Sequence, residues 1–283
     1  MLNVYNAQIK DVINIKRILN ETDRKADYYS EFKESIIKYI LKKRCFIVSK
    51  NNNILCVIFI NDRNEVYAIP NDSTFSLFKL LFVLKTHFKN LELNIKIKYK
   101  KLNVNLYKKY YKIKVKDNYL CMVLDTSKIK YTNNNICNED KILFRKMKIE
   151  KDENIRVNLQ NKIFSNVKGR RDLTLNEVFF EENSNKFLKD FCYFLEYSGN
   201  PVGYGQIIKL LEEFYLVNFG IIPEFQGRGF GIYFLNKIVE SCRQSGIKKI
   251  YLTVDANNQK AINLYEKYGF EFIYGNAYLI LTE

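Results

Sequence analysis

The sequence contains few of the residues from which metal sites are built. It has a single histidine, His87, so a site made mainly of histidine ligands is excluded. Six cysteines are present without any Cys-x-x-Cys pair. All but Cys137 lie in apolar or periodic segments, so we expect buried free thiols. No metal is therefore expected.

Long apolar runs are also missing. The longest, from Phe75 to Leu84, is ten residues and is interrupted by Lys79, whereas a membrane-spanning helix needs about 20. The first residues lack a basic segment followed by an apolar core, so no secretory signal is expected. These absences predict a cytoplasmic protein without a membrane partner. They leave its oligomeric state unknown.

The net charge is strongly positive and unevenly distributed. The chain of 283 residues has a formal charge of +15, of which residues 1–130 carry +14 and residues 131–283 carry +1. Lysines interleave with tyrosines between Lys85 and Lys116, a composition that suits nucleic acid. The whole sequence, however, is rich in Lys, Asn, Ile and Tyr and has no tryptophan, a bias that an A+T-rich coding sequence produces without selection for a ligand. We therefore do not expect nucleic acid as a partner.

A glycine-rich loop follows an apolar, strand-like segment over 214–220 and opens an amphipathic helix. It reads Ile-Ile-Pro-Glu-Phe-Gln-Gly-Arg-Gly-Phe-Gly from 221 to 231. Gly227, Gly229 and Gly231 let the backbone approach an anion, and the unpaired N–H groups of the helix start point at that anion. The spacing lacks the third glycine of a dinucleotide fingerprint and the Gly-Lys-Ser/Thr ending of a P-loop. The loop therefore predicts a phosphate site of another kind.

Two motifs resemble the signatures of the GNAT superfamily of N-acetyltransferases. The first is Gln-x-x-Gly-x-Gly after a strand, here Gln226, Gly229 and Gly231. The second begins at Asn258 and continues as Ala-x-x-Leu-Tyr-Glu-Lys-x-Gly-Phe, ending at Phe270. Both motifs occur in the family's order and spacing.

This resemblance implies acetyl-CoA as a co-substrate and no metal. In the family the loop amides hold the CoA pyrophosphate, and the preceding strand pairs with the pantetheine arm. Asn258 matches an asparagine that helps to hold CoA, although asparagine is also a preferred helix N-cap. The resemblance assigns these residues to acetyl-CoA binding: Phe219, Ile221, Gln226, Gly227, Arg228, Gly229, Phe230, Gly231, Ile232 and Asn258.

The resemblance also implies catalytic roles. Tyr265 matches the tyrosine that protonates the departing thiolate, with a core tyrosine beside Leu264 as the alternative. A backbone N–H within 217–221 is expected to stabilise the oxyanion. Where several family members carry a glutamate as general base, this chain has Tyr215, a poor base at pH 7. Glu213, two residues earlier on the same strand face, is the candidate base; transfer through water or a substrate that arrives neutral are the alternatives.

The first half of the chain is similar to the second half. Residues 104–111 match residues 262–269 at a constant offset of 158. A strand over 65–69 followed by a helix over 75–88 repeats the arrangement around the glycine loop. The glycines themselves are missing, and Asp72 would repel a pyrophosphate. We expect a degenerate copy that has lost CoA binding.

The predicted fold is α/β (α+β), with two GNAT-like domains that each have a central, mixed and mostly antiparallel twisted sheet flanked by helices. The degenerate domain is expected over 1–126, a linker over 127–140 and the catalytic domain over 141–283. Within the catalytic domain the pattern predicts a first strand over 142–146 and a helix over 173–182.

The chemistry implied is direct transfer of an acetyl group from acetyl-CoA to a primary amine of a small molecule or a peptide. The sequence does not identify this acceptor. The alternative is a non-catalytic acyl-CoA-binding sensor or scaffold whose basic N-terminal domain binds nucleic acid or an acidic partner. Tyr265 argues against that alternative, because a sensor needs no acid for a leaving group.

Overall fold

The computed structural model describes residues 2–21, 26–89, 91–100, 104–129, 139–167 and 169–282. Within these ranges it has thirteen strands and eight α-helices. The strands are β1 (Asn3–Asn6), β2 (Tyr28–Tyr29), β3 (Cys45–Lys50), β4 (Asn53–Ile60), β5 (Glu65–Pro70), β6 (Leu93–Tyr99), β7 (Ile113–Asp125), β8 (Ile142–Lys146), β9 (Phe187–Tyr197), β10 (Asn200–Leu210), β11 (Glu213–Ile221), β12 (Lys249–Asp255) and β13 (Glu271–Leu281). The helices are α1 (Val12–Asn20), α2 (Ile36–Leu41), α3 (Leu77–His87), α4 (Val104–Lys108), α5 (Glu153–Ile163), α6 (Leu175–Glu182), α7 (Phe230–Gln244) and α8 (Gln259–Tyr268).

The chain forms two compact units. The first comprises Met1–Cys121, Asp255–Asn257 and Ile273–Glu283, and the second comprises Met122–Val254 and Asn258–Phe272. Most of β13 therefore belongs to the first unit, whereas α8, which precedes it in the chain, belongs to the second.

The domain boundaries expected from the sequence, at residues 126 and 141, stay a prediction about two related copies. The chief difference from the compact units concerns β13. The predicted catalytic domain over 141–283 includes this strand, whereas most of the strand belongs to the first compact unit. Most of the predicted linker over 127–140 lies outside the described residues.

In the first unit the strand order is β1-β3-β4-β5-β6-β13-β7. Antiparallel pairs join β1 to β3, β3 to β4, β4 to β5 and β6 to β13, and the β5–β6 pair is parallel. Neighbouring residues of a strand point to opposite faces of the sheet. Val48 and Ile58 accordingly pack in one cluster with α3, whereas Ile47 and Phe59 pack in another with α1 and α2. The two clusters make the core of this unit.

In the second unit the strand order is β8-β9-β10-β11-β12. The pairs from β8 to β11 are antiparallel, and the β11–β12 pair is parallel. On one face, Phe194 and Tyr204 pack against Leu159 of α5. On the other face, a Cβ on Gly205 would lie 2.7 Å from Ile238 Cδ1 of α7, so α7 approaches the strand more closely than a side chain would allow. Helices therefore cover both faces of this sheet.

The predicted fold class is confirmed, since the structure has a mixed, mostly antiparallel sheet flanked by helices. Strand β8 has the predicted bounds. Helix α6 begins two residues later than predicted because Thr174 is its N-cap, with Thr174 Oγ1 accepting from Glu177 N and the Glu177 carboxylate accepting from Thr174 N.

The cysteines outside 130–138 are buried free thiols, as predicted: Cys45, Cys56, Cys121, Cys192 and Cys242. Cys137 lies outside the described residues. In the described ranges no helix is long and apolar enough to cross a membrane. The same ranges hold no group of three or more His, Cys, Asp or Glu side chains arranged to bind a metal ion.

Candidate active site

The glycine loop ends in an uncapped helix N-terminus. Gly227 and Gly229 have φ angles of 75° and 85°, a left-handed backbone that glycine adopts without steric cost. Gly229 is the N-cap of α7 and, having no side chain, makes no side-chain cap hydrogen bond. The first backbone N–H groups of a helix have no intrahelical acceptor. Those of Phe230, Gly231 and Ile232 are therefore available to an anion.

The loop is anchored to the end of strand β11. Gln226 Nε2 donates to the carbonyl oxygen of Ile221 over 2.9 Å, and a short 3-10 turn over Pro223–Phe225 lies between the two residues. The Arg228 guanidinium lies 5.3 Å above the ring of Phe225, while the side chain itself is exposed. A positive charge thus lies beside the helix N-terminus, and it makes no ion pair within the part of the chain that the structure describes.

Strands β11 and β12 separate beside this loop. Their parallel pairing is limited to Phe214 with Ile250 and Tyr215 with Tyr251. Farther along β11, Asn218 has a φ angle of 52°, and the register with β10 shifts between Tyr204 and Gln206, which together mark a β-bulge.

The separation leaves one edge of β11 open. From Leu216 to Ile221 the backbone groups that face away from β10 have no strand partner among the described residues. Unpaired strand-edge groups are able to pair with an extended ligand. In the chain, the open edge ends at Ile221, and the 3-10 turn and the glycine loop join it to the N-terminus of α7.

Tyr265 of α8 lies next to this edge. Its ring centroid is 6.2 Å from that of Phe219 on β11 and 5.5 Å from that of Phe270. In the preceding residue, Leu264 Cδ1 would be 3.4 Å from a Cβ on Gly231, so α8 also packs against the start of α7. The structure thus places three features close together: the glycine loop before α7, the open edge of β11 and Tyr265 of α8.

The Tyr265 side chain is suited to donate a proton. It is 8% exposed, and burial raises the pKa of its phenol well above the ordinary tyrosine value. The hydroxyl therefore stays protonated at neutral pH. It has no hydrogen-bond partner within the described part of the chain, so the proton is not committed to another side chain.

Asn258 caps helix α8. Its Oδ1 accepts from Ala261 N over 3.1 Å, and Ala261 lies in the first turn of the helix. The side chain therefore has the structural role that was weighed as the alternative to CoA binding. A contact between Asn258 and CoA stays a prediction.

Glu213 lies at the opposite end of β11 from the glycine loop. It is the first residue of the strand, and its carboxylate accepts from the Tyr215 hydroxyl over 2.7 Å. Five residues separate it from Asn218, which corresponds to about 17 Å along a strand. Glu213 therefore lies before the paired residues Phe214 and Tyr215 and outside the open edge that begins at Leu216.

The bulge residue was not identified from the sequence. Asparagine is one of the few residues other than glycine that adopt a left-handed backbone at low cost. The sign of this bulge in the sequence is Asn218 itself, a polar residue in the middle of the apolar segment over 214–220.

The corresponding place in the first unit is filled by the chain itself. Strands β5 and β6 also pair at only two positions, Glu65 with Asn94 and Val66 with Ile95. Strand β2 then pairs with β6 through Tyr28 and Tyr99. The gap between β5 and β6 is thus not an open edge.

Ser30, directly after β2, ties both sides of this gap together. Ser30 N donates to the Ala68 carbonyl over 2.8 Å, and Ala68 N donates to Ser30 Oγ over 3.0 Å. Ser30 Oγ in turn donates to the Lys96 carbonyl over 2.5 Å. Each of these groups would otherwise be available to an extended ligand.

The N-terminus of α3 is occupied as well. Ser76 is the N-cap of this helix, and its hydroxyl oxygen accepts from Lys79 N. Asp72 lies in the preceding turn, where its carboxylate accepts from Thr74 N over 2.6 Å. A capping side chain and a negative charge thus replace the glycines found before α7.

Comparison with known proteins relates the chain to one family. Residues 157–270 match the family described as the acetyltransferase (GNAT) family. Over 111 residues the chain is 30% identical to N-alpha-acetyltransferase 50 of Danio rerio, covering 35% of this chain and 66% of that protein. Over 69 residues it is 35% identical to the ribosomal protein bS18-alanine N-acetyltransferase of Haemophilus influenzae, covering 24% of this chain and 47% of that protein. The chain thus spans less than two thirds of the length of each of these relatives.

Two solved structures share the fold along the whole chain. A GCN5-related N-acetyltransferase from Sphaerobacter thermophilus has a TM-score of 0.57 at 14% identity, covering 100% of this chain and 95% of its own. An acetyltransferase of the GNAT family from Colwellia psychrerythraea has a TM-score of 0.51 at 12% identity, covering 100% of both chains. At these identities the likeness concerns the fold alone.

Proposed function

We propose, since the chain carries a GNAT acetyltransferase domain, that its second unit transfers an acetyl group from acetyl-CoA to a primary amine. The observation that carries this proposal is the open edge of β11 beside the uncapped N-terminus of α7. An extended chain that ends in phosphates matches both features at once. Pantetheine joined to a pyrophosphate is such a chain.

The residues would divide the binding between them. The backbone N–H groups of Phe230, Gly231 and Ile232 hold the pyrophosphate, and the exposed Arg228 adds a positive charge. The edge of β11 from Leu216 to Ile221 pairs with the pantetheine amides. Gln226 keeps the loop in place through its bond to Ile221.

Acetyl-CoA supplies an acyl group activated as a thioester. In the transfer the amine nitrogen forms a bond to the carbonyl carbon, and the bond from that carbon to sulfur breaks. An unpaired N–H on the edge of β11 stabilises the negative charge that develops on the carbonyl oxygen. The Tyr265 hydroxyl gives its proton to the departing sulfur.

The amine must lose a proton for the transfer to be completed. Because Glu213 lies about 17 Å along the strand from the bulge, we do not include it in the mechanism. Proton loss to water, or entry of the amine in its neutral form, remain the two routes. Both predict a rate that rises with pH as the acceptor amine is deprotonated.

Peptide α-amines are the first acceptors to test. One relative is named an N-alpha-acetyltransferase, and the other is named for an alanine of ribosomal protein bS18. Because these names describe the relatives and not this chain, small-molecule primary amines are tested as well. A panel of short peptides with different first residues, together with amino acids and aminoglycosides, covers both classes.

The experiment is an assay of thiol release from acetyl-CoA with each member of this panel. Turnover with one acceptor class, and acetylation of its amine found by mass spectrometry, supports the proposal. Binding of acetyl-CoA without turnover across the panel would favour a sensor or scaffold instead. A titration with RNA over a range of salt concentrations tests that alternative, because phosphate contacts make affinity fall steeply with salt.

A further inference from the structure

A cavity lies entirely within the first unit, separate from the candidate active site. Its volume is about 510 Å³, which is within the range of small-molecule sites. Strands β5, β6, β7 and β13 supply most of its lining. Ile97 and Ala277 line it with their backbone, because their side chains lie in the core on the opposite face of the sheet. Glu31, one residue after Ser30, closes it on the side of β2. The cavity thus lies next to the segment that fills the gap between β5 and β6.

Two of the lysines in this cavity already have carboxylate partners. Lys96 Nζ is 2.7 Å from Glu65 Oε1, and Lys98 Nζ is 2.6 Å from Glu31 Oε1. Hydrogen bonds from Lys96, Asn61 and Tyr67 hold the pKa of the Glu65 carboxyl below its usual value despite its partial burial. These two pairs are electrically neutral, so they do not by themselves attract a charged ligand.

One charge of each sign is left. Lys116 and Asp117 of β7 also line the cavity, and neither makes an ion pair within the described residues. Lys116 Nζ lies 4.9 Å above the ring of Tyr278, which holds the ammonium over the cavity by a cation–π contact. The cavity therefore offers one cation and one anion, neither of them in an ion pair among the described residues, beside the aromatic ring of Tyr278.

We propose that this cavity binds a zwitterionic molecule, namely a free amino acid or a short peptide with an apolar side chain. Its carboxylate pairs with Lys116, its ammonium pairs with Asp117, and its side chain packs on the ring of Tyr278. A net anion such as a nucleotide would bring its phosphates close to the carboxylates of Glu31, Glu65 and Asp117. The proposal does not depend on the acetyl transfer proposed for the second unit.

The test uses the full chain and calorimetric titration with L-phenylalanine and with the dipeptide Leu-Phe. Saturable binding of either probe is expected. N-acetyl-phenylalanine amide, which has the same side chain without either charge, should not bind. Lys116→Met and Asp117→Asn should each weaken the affinity about tenfold, since each removes one charge-assisted contact.

The matched control is Lys114→Met, on the same strand and exposed but not part of the cavity lining. It should leave the affinity unchanged. Because all three side chains are exposed, the variants should fold alike, and their melting curves check this. The proposal is overturned if neither probe binds, or if adenosine monophosphate binds in their place. It is also overturned if N-acetyl-phenylalanine amide binds equally well, or if Lys116→Met and Asp117→Asn bind the probes as tightly as Lys114→Met does.

Discussion

Replacing Tyr265 by phenylalanine should separate the chemistry of the second unit from its stability. The ring packs between Phe219 and Phe270, and phenylalanine keeps these contacts. The hydroxyl has no partner in the described ranges, so its loss should change the free energy of unfolding by less than about 1 kcal/mol. If the hydroxyl protonates the departing sulfur, the acetylation rate constant should fall about 10²-fold, with the acetyl-CoA Michaelis constant nearly unchanged. Thiol-release kinetics and denaturant melts measure the two quantities.

The neighbouring turn of the same helix provides the opposite control. The Tyr268 hydroxyl donates to Asn236 Oδ1 of α7 over 2.9 Å, so its proton is already committed to another side chain. Tyr268→Phe should therefore lower the free energy of unfolding by about 1 kcal/mol and leave turnover unchanged. If both variants show equally small rate effects, Tyr265 is a packing residue and its assignment as an acid is wrong.

The pH dependence gives a further check on Tyr265. Burial raises the pKa of its phenol above the ordinary value near 10, so the proton remains on the hydroxyl throughout the range from pH 7 to 10. The rate should therefore rise as the acceptor amine is deprotonated and should show no falling limb below pH 10. A falling limb near pH 9 that disappears in Tyr265→Phe would contradict this reasoning.

Three other changes test the binding site. Gly229→Glu should abolish CoA binding in calorimetry because the new carboxylate repels the pyrophosphate, whereas Gly246→Glu, which imposes a similar backbone strain at a φ of 80°, should retain it. Asp72→Gly should leave the binding stoichiometry at one CoA per chain, because Ser76 still caps α3. Two bound CoA molecules per chain, in this variant or in the original protein, would refute the interpretation of the first unit as a degenerate copy. Asn258→Ala should lower the free energy of unfolding by about 1 kcal/mol through loss of the N-cap, which a denaturant melt measures; an unchanged melt would show that the cap contributes nothing.

The parts of the site that could be predicted are those set by short stretches of sequence. A glycine loop between a strand and a helix has few conformations open to it, so Gly227 and Gly229 indicated the turn before α7, which the structure has. The anion site at this turn stays a prediction. The bounds of strand β8 were also predicted correctly, because they too are set by a short stretch of sequence.

The parts that could not be predicted depend on long-range pairing. Strand β2 has only two residues, too few for any periodicity. Its position follows from the hydrogen bonds of Ser30 to Ala68 and to Lys96, which lie 38 and 66 positions farther along the chain. Which part of β11 is left open, and hence how far Glu213 lies from it, likewise depends on where β12 leaves β11. The two-residue spacing correctly placed Glu213 on the same strand face as Tyr215, but it gave no information on where β11 is open. A role of Glu213 as the base stays a prediction.

The membership of β13 in the first unit has a consequence for how the protein is made. Its pairs with β6 join residues that are 176 positions apart, Gly275 and Tyr99, and up to 188 apart, Leu281 and Leu93. During synthesis, β6 has no partner on this side until the ribosome has translated past residue 281. The first unit therefore begins to emerge first but completes its sheet last, and until then it exposes an unpaired strand edge of the kind that favours aggregation.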